Sequence, residues 1–434
     1  MQAPGVAYWF RYSYDRDLAD VTHSFRVADD GLDFSIRFKL FPERAPGSYA
    51  DTLSVSLCYD EACTREVQGS PFSVPLRLEV GYFAQAEVGV TPGVPLQTTA
   101  LNHDVLGAAY SAALDAVITV SALPEPRLRV HDLRSGLERS IPLLTAPTSL
   151  SVGADGLRAA VGHDAAVSLV DLRADASAPV RRMDVPMSVG SVLLAGTRIV
   201  AIGAQAFGWN SIYWVDTVTG TATRAGTGII YGVAESVLHP AGDRIYMTES
   251  GVSPDDVTRM DLGGDPAAAL THDSRYHGEY TFCSRVAISP DGQSLYTGCG
   301  VVLRTASLLV DDMLYAGQIA LSPGDPLGLQ RYVSAGLSVA PNNSSVALLE
   351  ENWYSCDPRI GQPADCHTRL AVHDTATLAR RSLRGLAPYE RGGDRLKQWG
   401  RRVMHRSDGS LIVIAEVGTR NEATPTWLLH RFSP

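Results

Sequence analysis

The chain has 434 residues, 45% of them hydrophobic and 8% aromatic, with a formal net charge of −10. The charge is spread thinly, so neither nucleic acid nor an anionic lipid surface finds the basic patch it needs. No run of about 18 apolar residues occurs, and no transmembrane segment is expected.

Lysine is confined to Lys39 and Lys397 while Arg, Ala and Gly abound, the bias of a GC-rich bacterial genome. Met1-Gln-Ala-Pro-Gly5 lacks the basic start and apolar centre of an export signal. The six cysteines fall into three sequence-local pairs: Cys58 with Cys63, Cys283 with Cys299, and Cys356 with Cys366. Three local disulfides need no long-range coincidence, and disulfides persist in oxidising compartments. The expectation is a periplasmic or extracellular protein whose sequence here begins after its export signal. Reduced thiols are the alternative; zinc is disfavoured because no CxxC is present.

Residues 1–88 alternate apolar and polar side chains. Leu32–Phe38, Leu53–Cys58 and Phe72–Val80 each put apolar residues on one face, as half-buried strands do. Asp29-Asp30-Gly31 and Ala45-Pro46-Gly47-Ser48 mark turns. The stretch Pro46-Gly-Ser-Tyr-Ala-Asp-Thr-Leu-Ser-Val-Ser-Leu-Cys58, with Val67-Gln-Gly-Ser-Pro71 and Val74–Val80, resembles bacterial immunoglobulin-like modules. The resemblance implies an Ig-like β-sandwich that acts as a spacer within a longer cell-surface chain. A Pro- and Gly-containing linker, Ala84–Pro95, follows, and the second domain is set at 89–434.

That domain repeats one phrase: a β-prone run, a small turn, and a second β-prone run. It appears as Ser151–Gly156, Ser191–Gly196, Ser236–Gly242, Arg285–Gly292, Leu337–Asn343 and Arg402–Gly409, with a divergent copy at Val105–Asp115. Gly156, Gly196, Gly242 and Gly292 are 40, 46 and 50 residues apart. All-strand repeats of that period predict a β-propeller, here with seven blades. Later gaps widen because 312–334 and 352–367 are expected to hold extra loop. Strands Arg127–Asp132, Ile212–Asp216 and Leu370–Asp374, read as outer strands, each end in an aspartate able to cap its own turn. The last unit shows only three strands, ending in Thr426–Phe432. Val94–Ala100 is therefore expected to supply its fourth and close the ring, which removes two open edges.

Ser289-Pro-Asp-Gly-Gln-Ser-Leu-Tyr296, Val215-Asp-Thr-Val-Thr-Gly220 and Pro240-Ala-Gly-Asp-Arg-Ile-Tyr246 resemble the YVTN/lactonase-like propeller superfamily. The overall expectation is an all-β chain: an Ig-like sandwich followed by a seven-bladed propeller. Related hydrolytic propellers hold a metal in the central channel, so this resemblance makes a metal-dependent, lactonase-like hydrolase the alternative function. Its ligands would come from His103, Asp104, Glu235, His239, Glu279 and His405, which share no committing spacing. No G-x-S-x-G, HExxH or Walker loop is present, and no catalytic residue is assigned. Asp255-Asp256 and Asp311-Asp312 are the candidate Ca²⁺ positions; no other cofactor is expected.

The leading reading is a binding or scaffold protein that recognises a protein or glycan through propeller loops. Tyr231, Tyr280, Trp353, Tyr354 and Trp399 are its candidate contacts, because exposed aromatics recognise such ligands by stacking. The segment 351–366, based on the Cys356–Cys366 pair, is the foremost loop.

Overall fold

The computed structural model describes residues 9–13, 19–28, 31–40, 47–80, 90–176, 179–232, 235–322, 332–352, 368–391, 394–418 and 425–434. The chain divides into two compact units, Met1–Ala84 and Gln85–Pro434. No helix among the described residues is long and apolar enough to cross a membrane.

The first unit shows five strands among its described residues. Trp9–Ser13, Gly47–Cys58 and Phe72–Val80 form one antiparallel sheet with Gly47–Cys58 central, and Ala19–Ala28 pairs with Gly31–Leu40 as a separate hairpin. An immunoglobulin sandwich has about seven strands in two packed layers. Cys58 and Cys63 form a disulfide with their Cα atoms 5.1 Å apart. The Asp60 carboxylate fixes the enclosed turn by accepting from the backbone N–H groups of Thr64 and Arg65.

The second unit is a seven-bladed propeller. Blade 1 holds Gly107–Ser111, Ala116–Ser121, Arg127–Asp132 and Glu138–Pro142, and blade 2 holds Pro147–Val152, Arg158–His163, Ala166–Asp171 and Val180–Asp184. Blades 3 to 5 start at innermost strands Val189–Ala195, Ser236–Leu238 and Val286–Ile288; blades 6 and 7 start at Tyr332–Val339 and Gln398–His405. Within each blade the strands that follow the innermost one pair antiparallel in chain order; blades 6 and 7 each take one further strand from upstream.

The sequence phrase is the innermost strand plus its turn. Seven turn residues have left-handed backbones: Asp115, Gly156, Gly196, Gly242, Gly292, Asn343 and Gly409. Asp132, Asp216 and Asp374 cap their turns through N–H groups two and three residues on. These aspartates end third strands, however, and not the outermost ones. The outer position goes to more polar strands such as Val180–Asp184, whose exposed edge asks less of its side chains.

Alternation along the second and third strands sends apolar side chains to both faces, where neighbouring blades meet. Among the described residues seven buried clusters result, one for each gap between blades. Ile202, Ile212 and Trp214 of blade 3 pack on Ile245, Met247 and Met260 of blade 4. Ile412, Ile414 and Leu429 of blade 7 pack with Val117 of blade 1.

On the other edge of Thr426–Phe432 lies Gln97–Leu101, antiparallel, with Thr99 opposite Leu429. Val94–Leu96 is outside this strand. Upstream, Thr91–Gly93 adds a short parallel fifth strand to blade 6, pairing with Arg384–Leu386. The expected loop at 312–334 also needs correction: Leu314–Gln318 is the outermost strand of blade 5, and Tyr332–Val339 begins blade 6.

Candidate functional site

All innermost strands of a propeller run the same way, so the connections that lead into them share one face. Tyr231 ends the outermost strand of blade 3 on that side, opposite Trp209, and the two rings meet edge to face with centroids 5.4 Å apart. Trp209 is 59% exposed and Phe207, two residues before it, 82%. The loop carrying them is built around buried Asn210. Its carboxamide accepts from Gln205 N–H and donates to the carbonyls of Gln205 and Gly232, at 2.7 to 3.0 Å. The Phe207 ring also lies over Gly251 in the neighbouring blade 4 loop. A rigid turn therefore holds an uncovered aromatic platform. Sequence reading found Tyr231 but missed Phe207 and Trp209; the available signal was Phe-Gly-Trp between two strand runs.

Tyr280 stands in the connection into blade 5. It stacks on Tyr315 with centroids 4.7 Å apart and meets Tyr276 edge-on, while the Tyr276 hydroxyl accepts from the Tyr315 N–H. Partial burial raises both the Tyr280 and Tyr315 phenols above their ordinary value. Beside them runs a groove of about 410 Å³ bordered by Tyr280, Cys299 and Gln318. The Cys283–Cys299 disulfide lies under this loop, and the Asp255 carboxylate accepts from the N–H groups of Phe282 and Cys283.

Trp399 corrects the expectation of a ligand-facing ring. It is 7% exposed, the Lys397 ammonium lies 3.5 Å from its ring centroid, and its indole N–H points to the Gly418 carbonyl. Its surface is used in packing. Trp353, Tyr354, Cys356 and Cys366 lie outside the described residues.

The proposed metal ligands are engaged separately. His103 hydrogen bonds to Thr119, the Asp104 carboxylate accepts from Ala122 and Leu123 N–H, His239 contacts Arg244 and the Gly292 carbonyl, and His405 contacts Ser338. Burial pushes His405 down to about 4 and His103 to about 3, as expected of neutral core imidazoles. Among the described residues no three His, Cys, Asp or Glu side chains gather to hold a metal ion. Three of the four Ca²⁺ candidates have other employment: Asp312 is buried against Arg259, Asp255 caps a loop, and Asp256 pairs with His277 at 2.7 Å.

The central channel encloses about 1210 Å³. Its wall alternates aliphatic groups with the hydroxyls of Ser149, Ser151, Ser191, Ser236 and Ser338. Glu235, Arg285 and Arg402 also line it, and Arg285 reaches Glu235 at 3.1 Å. Sequence reading singled out Glu235 but treated both arginines as blade residues.

No protein-family model matches the chain, and no curated protein matches it either. Solved structures do: the β-propeller domain of Myceliophteria thermophila Cps50 (Swd1) aligns with a TM-score of 0.53 at 11% identity, over 78% of this chain and 99% of that one. At that identity the likeness speaks for the propeller fold alone.

Proposed function

We propose that this protein is a non-catalytic recognition module that works outside the cytoplasm and binds a protein or glycan through the face carrying the connections into its innermost strands. The observation that carries this reading is the Phe207–Trp209–Tyr231 platform. Large aromatic side chains left uncovered on a loop fixed by a buried carboxamide offer contact area at little ordering cost. Tyr280, in the connection into blade 5, and Tyr315, on the outermost strand of that blade, offer a second stacking surface. Two disulfides among the described residues support an oxidising compartment. Pairing of Gln97–Leu101 with Thr426–Phe432 acts as the clasp of the ring, and the Ig-like first unit as its spacer. The hydrolytic alternative finds no gathered ligand set among the described residues.

The test is binding of the intact protein to an oligosaccharide array and to a peptide array, with the Phe207→Ala/Trp209→Ala variant alongside. A saturable hit on either array, weakened at least tenfold in the variant with the melting temperature unchanged, supports the reading and names the ligand class. No hit on either array, or hits indifferent to the substitutions, overturns it.

A further inference from the structure

Counting back from the left-handed turn residue aligns the innermost strands. Seven positions before Gly156, Gly242, Gly292, Asn343 and Gly409 stand Ser149, Glu235, Arg285, Gly336 and Arg402. Strands in equivalent register place these residues at one height in the channel, near the mouth where the innermost strands begin. That height therefore carries two guanidinium groups and one carboxylate. The Glu235 carboxylate is committed to Arg285. Arg402 has no carboxylate in ion-pair range among the described residues, and its guanidinium donates to its neighbour's backbone carbonyl, Arg401 O, at 3.0 Å. The adjacent Arg401 side chain points elsewhere and pairs with Glu416 at 2.6 Å.

We propose that this collar is a binding site for a small oxyanion, a carboxylate or phosphate group held between Arg402 and Arg285 inside the channel. The net charge of the three collar side chains is +1 in a protein whose total is −10, so the local potential opposes that of the molecule as a whole. A planar guanidinium fork matches the paired oxygens of such a group, and the channel's low-dielectric walls strengthen the attraction. Burial lowers the Arg402 pKa and the nearby Arg285 charge adds to that, while Glu235 opposes it. An arriving anion would relieve this situation by supplying the missing counter-charge. The serine hydroxyls below the collar, including the Ser191–Ser236 pair at 2.9 Å, are ready donors to the remainder of the ligand.

The loop into blade 5 is built to present Arg285. Cys283 and Ser284, immediately before it, both have left-handed backbones, with φ of 60° and 54°. L-residues avoid this region, and two in succession persist only where surroundings hold them. Here the Cys283–Cys299 disulfide, the Asp255 cap and the Ser284 hydroxyl donating to the Glu249 carbonyl do so.

Inorganic phosphate, sulfate and citrate titrated calorimetrically into the intact protein test the proposal. At least one is expected to bind with single-site saturation, and the anion preferred separates phosphate-type from carboxylate ligands. Arg402→Gln should weaken binding roughly tenfold to a hundredfold, the range of one charge-assisted contact. Glu235→Gln should tighten it severalfold, because it frees Arg285; a merely structural glutamate would give no such gain. Should Arg402→Gln fail to fold, Glu235→Gln and Arg285→Gln decide by their opposite signs. The proposal is overturned if no anion saturates a single site, or if Glu235→Gln leaves affinity unchanged or lowers it. The Phe207→Ala/Trp209→Ala variant should bind these anions normally, so failure of the platform and failure of the collar are distinguishable.

Discussion

Asp312 provides a sharp test of how neighbouring blades are held. Its carboxylate, fully buried, accepts from Arg259 Nη1 at 2.6 Å, the Tyr246 hydroxyl at 2.9 Å and the Ala306 N–H at 2.7 Å. Arg259 and Tyr246 belong to blade 4, whereas Asp312 and Ala306 lie in the connection to the last strand of blade 5. The group is a cross-tie between the blades. Asp312→Ala takes from the buried guanidinium one of its two carboxylates, leaving Asp261 at 2.7 Å, and leaves a hydroxyl and an amide short of a partner; breaking a buried ion pair from one side costs about 3 to 5 kcal/mol, which is the upper bound here. With an unfolding entropy of about 2.1 cal/mol/K per residue over roughly 350 propeller residues, that bound corresponds to a fall of at most roughly 4 to 7 °C in melting temperature. Thermal unfolding followed by near-ultraviolet circular dichroism reads this directly. The double variant Arg259→Met/Asp312→Ala should recover part of the loss, since no buried guanidinium is then left with only the half-exposed Asp261 as counter-charge. A fall under 1 °C in the single variant, or strict additivity in the double, would refute the cross-tie.

Three further outcomes rest on contacts elsewhere in the ring. A Cβ on Gly292 would lie 2.6 Å from the His239 ring while one on Gly196 meets nothing within 4 Å, and both residues have left-handed backbones. Gly196→Ala should therefore cost about 1 kcal/mol, and Gly292→Ala clearly more in parallel urea melts. Thr98→Pro/Thr99→Pro removes both donors of an adjacent pair, one of which must face Thr426–Phe432, and the hydroxyl that meets His430 at 2.8 Å. A lowered melting temperature is expected; an unchanged one denies that strand any role as a clasp. Burial holds His131, His373, His405 and His430 at about 4, below the ordinary 6.5. The unfolded chain binds more protons in that window, so stability is full above pH 6.5 and drains away as pH falls towards 4. A urea midpoint flat between pH 7 and 4.5 would contradict this assignment.

What the sequence disclosed follows from which interactions are local. Turn chemistry is local: an aspartate capping the N–H two residues on, and a glycine at positive φ, are legible at Asp216 and Gly292 without any tertiary information. Blade boundaries inherit that legibility. Edge strands do not, because their register comes from a partner distant in the chain. Thr91–Gly93 is three residues including a proline and a glycine, and only the edge of blade 6 makes it a strand. Aromatic residues were the hardest to place. Trp209 and Trp399 both stand at strand starts with polar neighbours, yet one is 59% exposed and the other 7%. The difference is the Lys397 stem and the blade 7 backbone over Trp399, which no local pattern encodes. Arg285 and Arg402 were visible within the repeat itself, and aligning copies on the left-handed turn residue brings them together.

That alignment also separates what the fold requires from what it tolerates. At the collar height blade 2 places a serine and blade 6 a glycine, so a small side chain satisfies the innermost strand. Arginine at residue 402 is thus not demanded by blade architecture, and with no carboxylate in ion-pair range its desolvation is only partly offset by the Glu235 charge. Arg402→Ser should leave the fold intact and raise stability by an amount on the order of 1 kcal/mol, a rise of about 1 °C in melting temperature. The same variant should lose the anion titration of the wild-type protein. Stability gained where binding is lost is the pattern of a residue kept for a ligand. Should Arg402→Ser instead melt several degrees lower with anion titration intact, the guanidinium is a structural strut and the collar has no claim to a ligand.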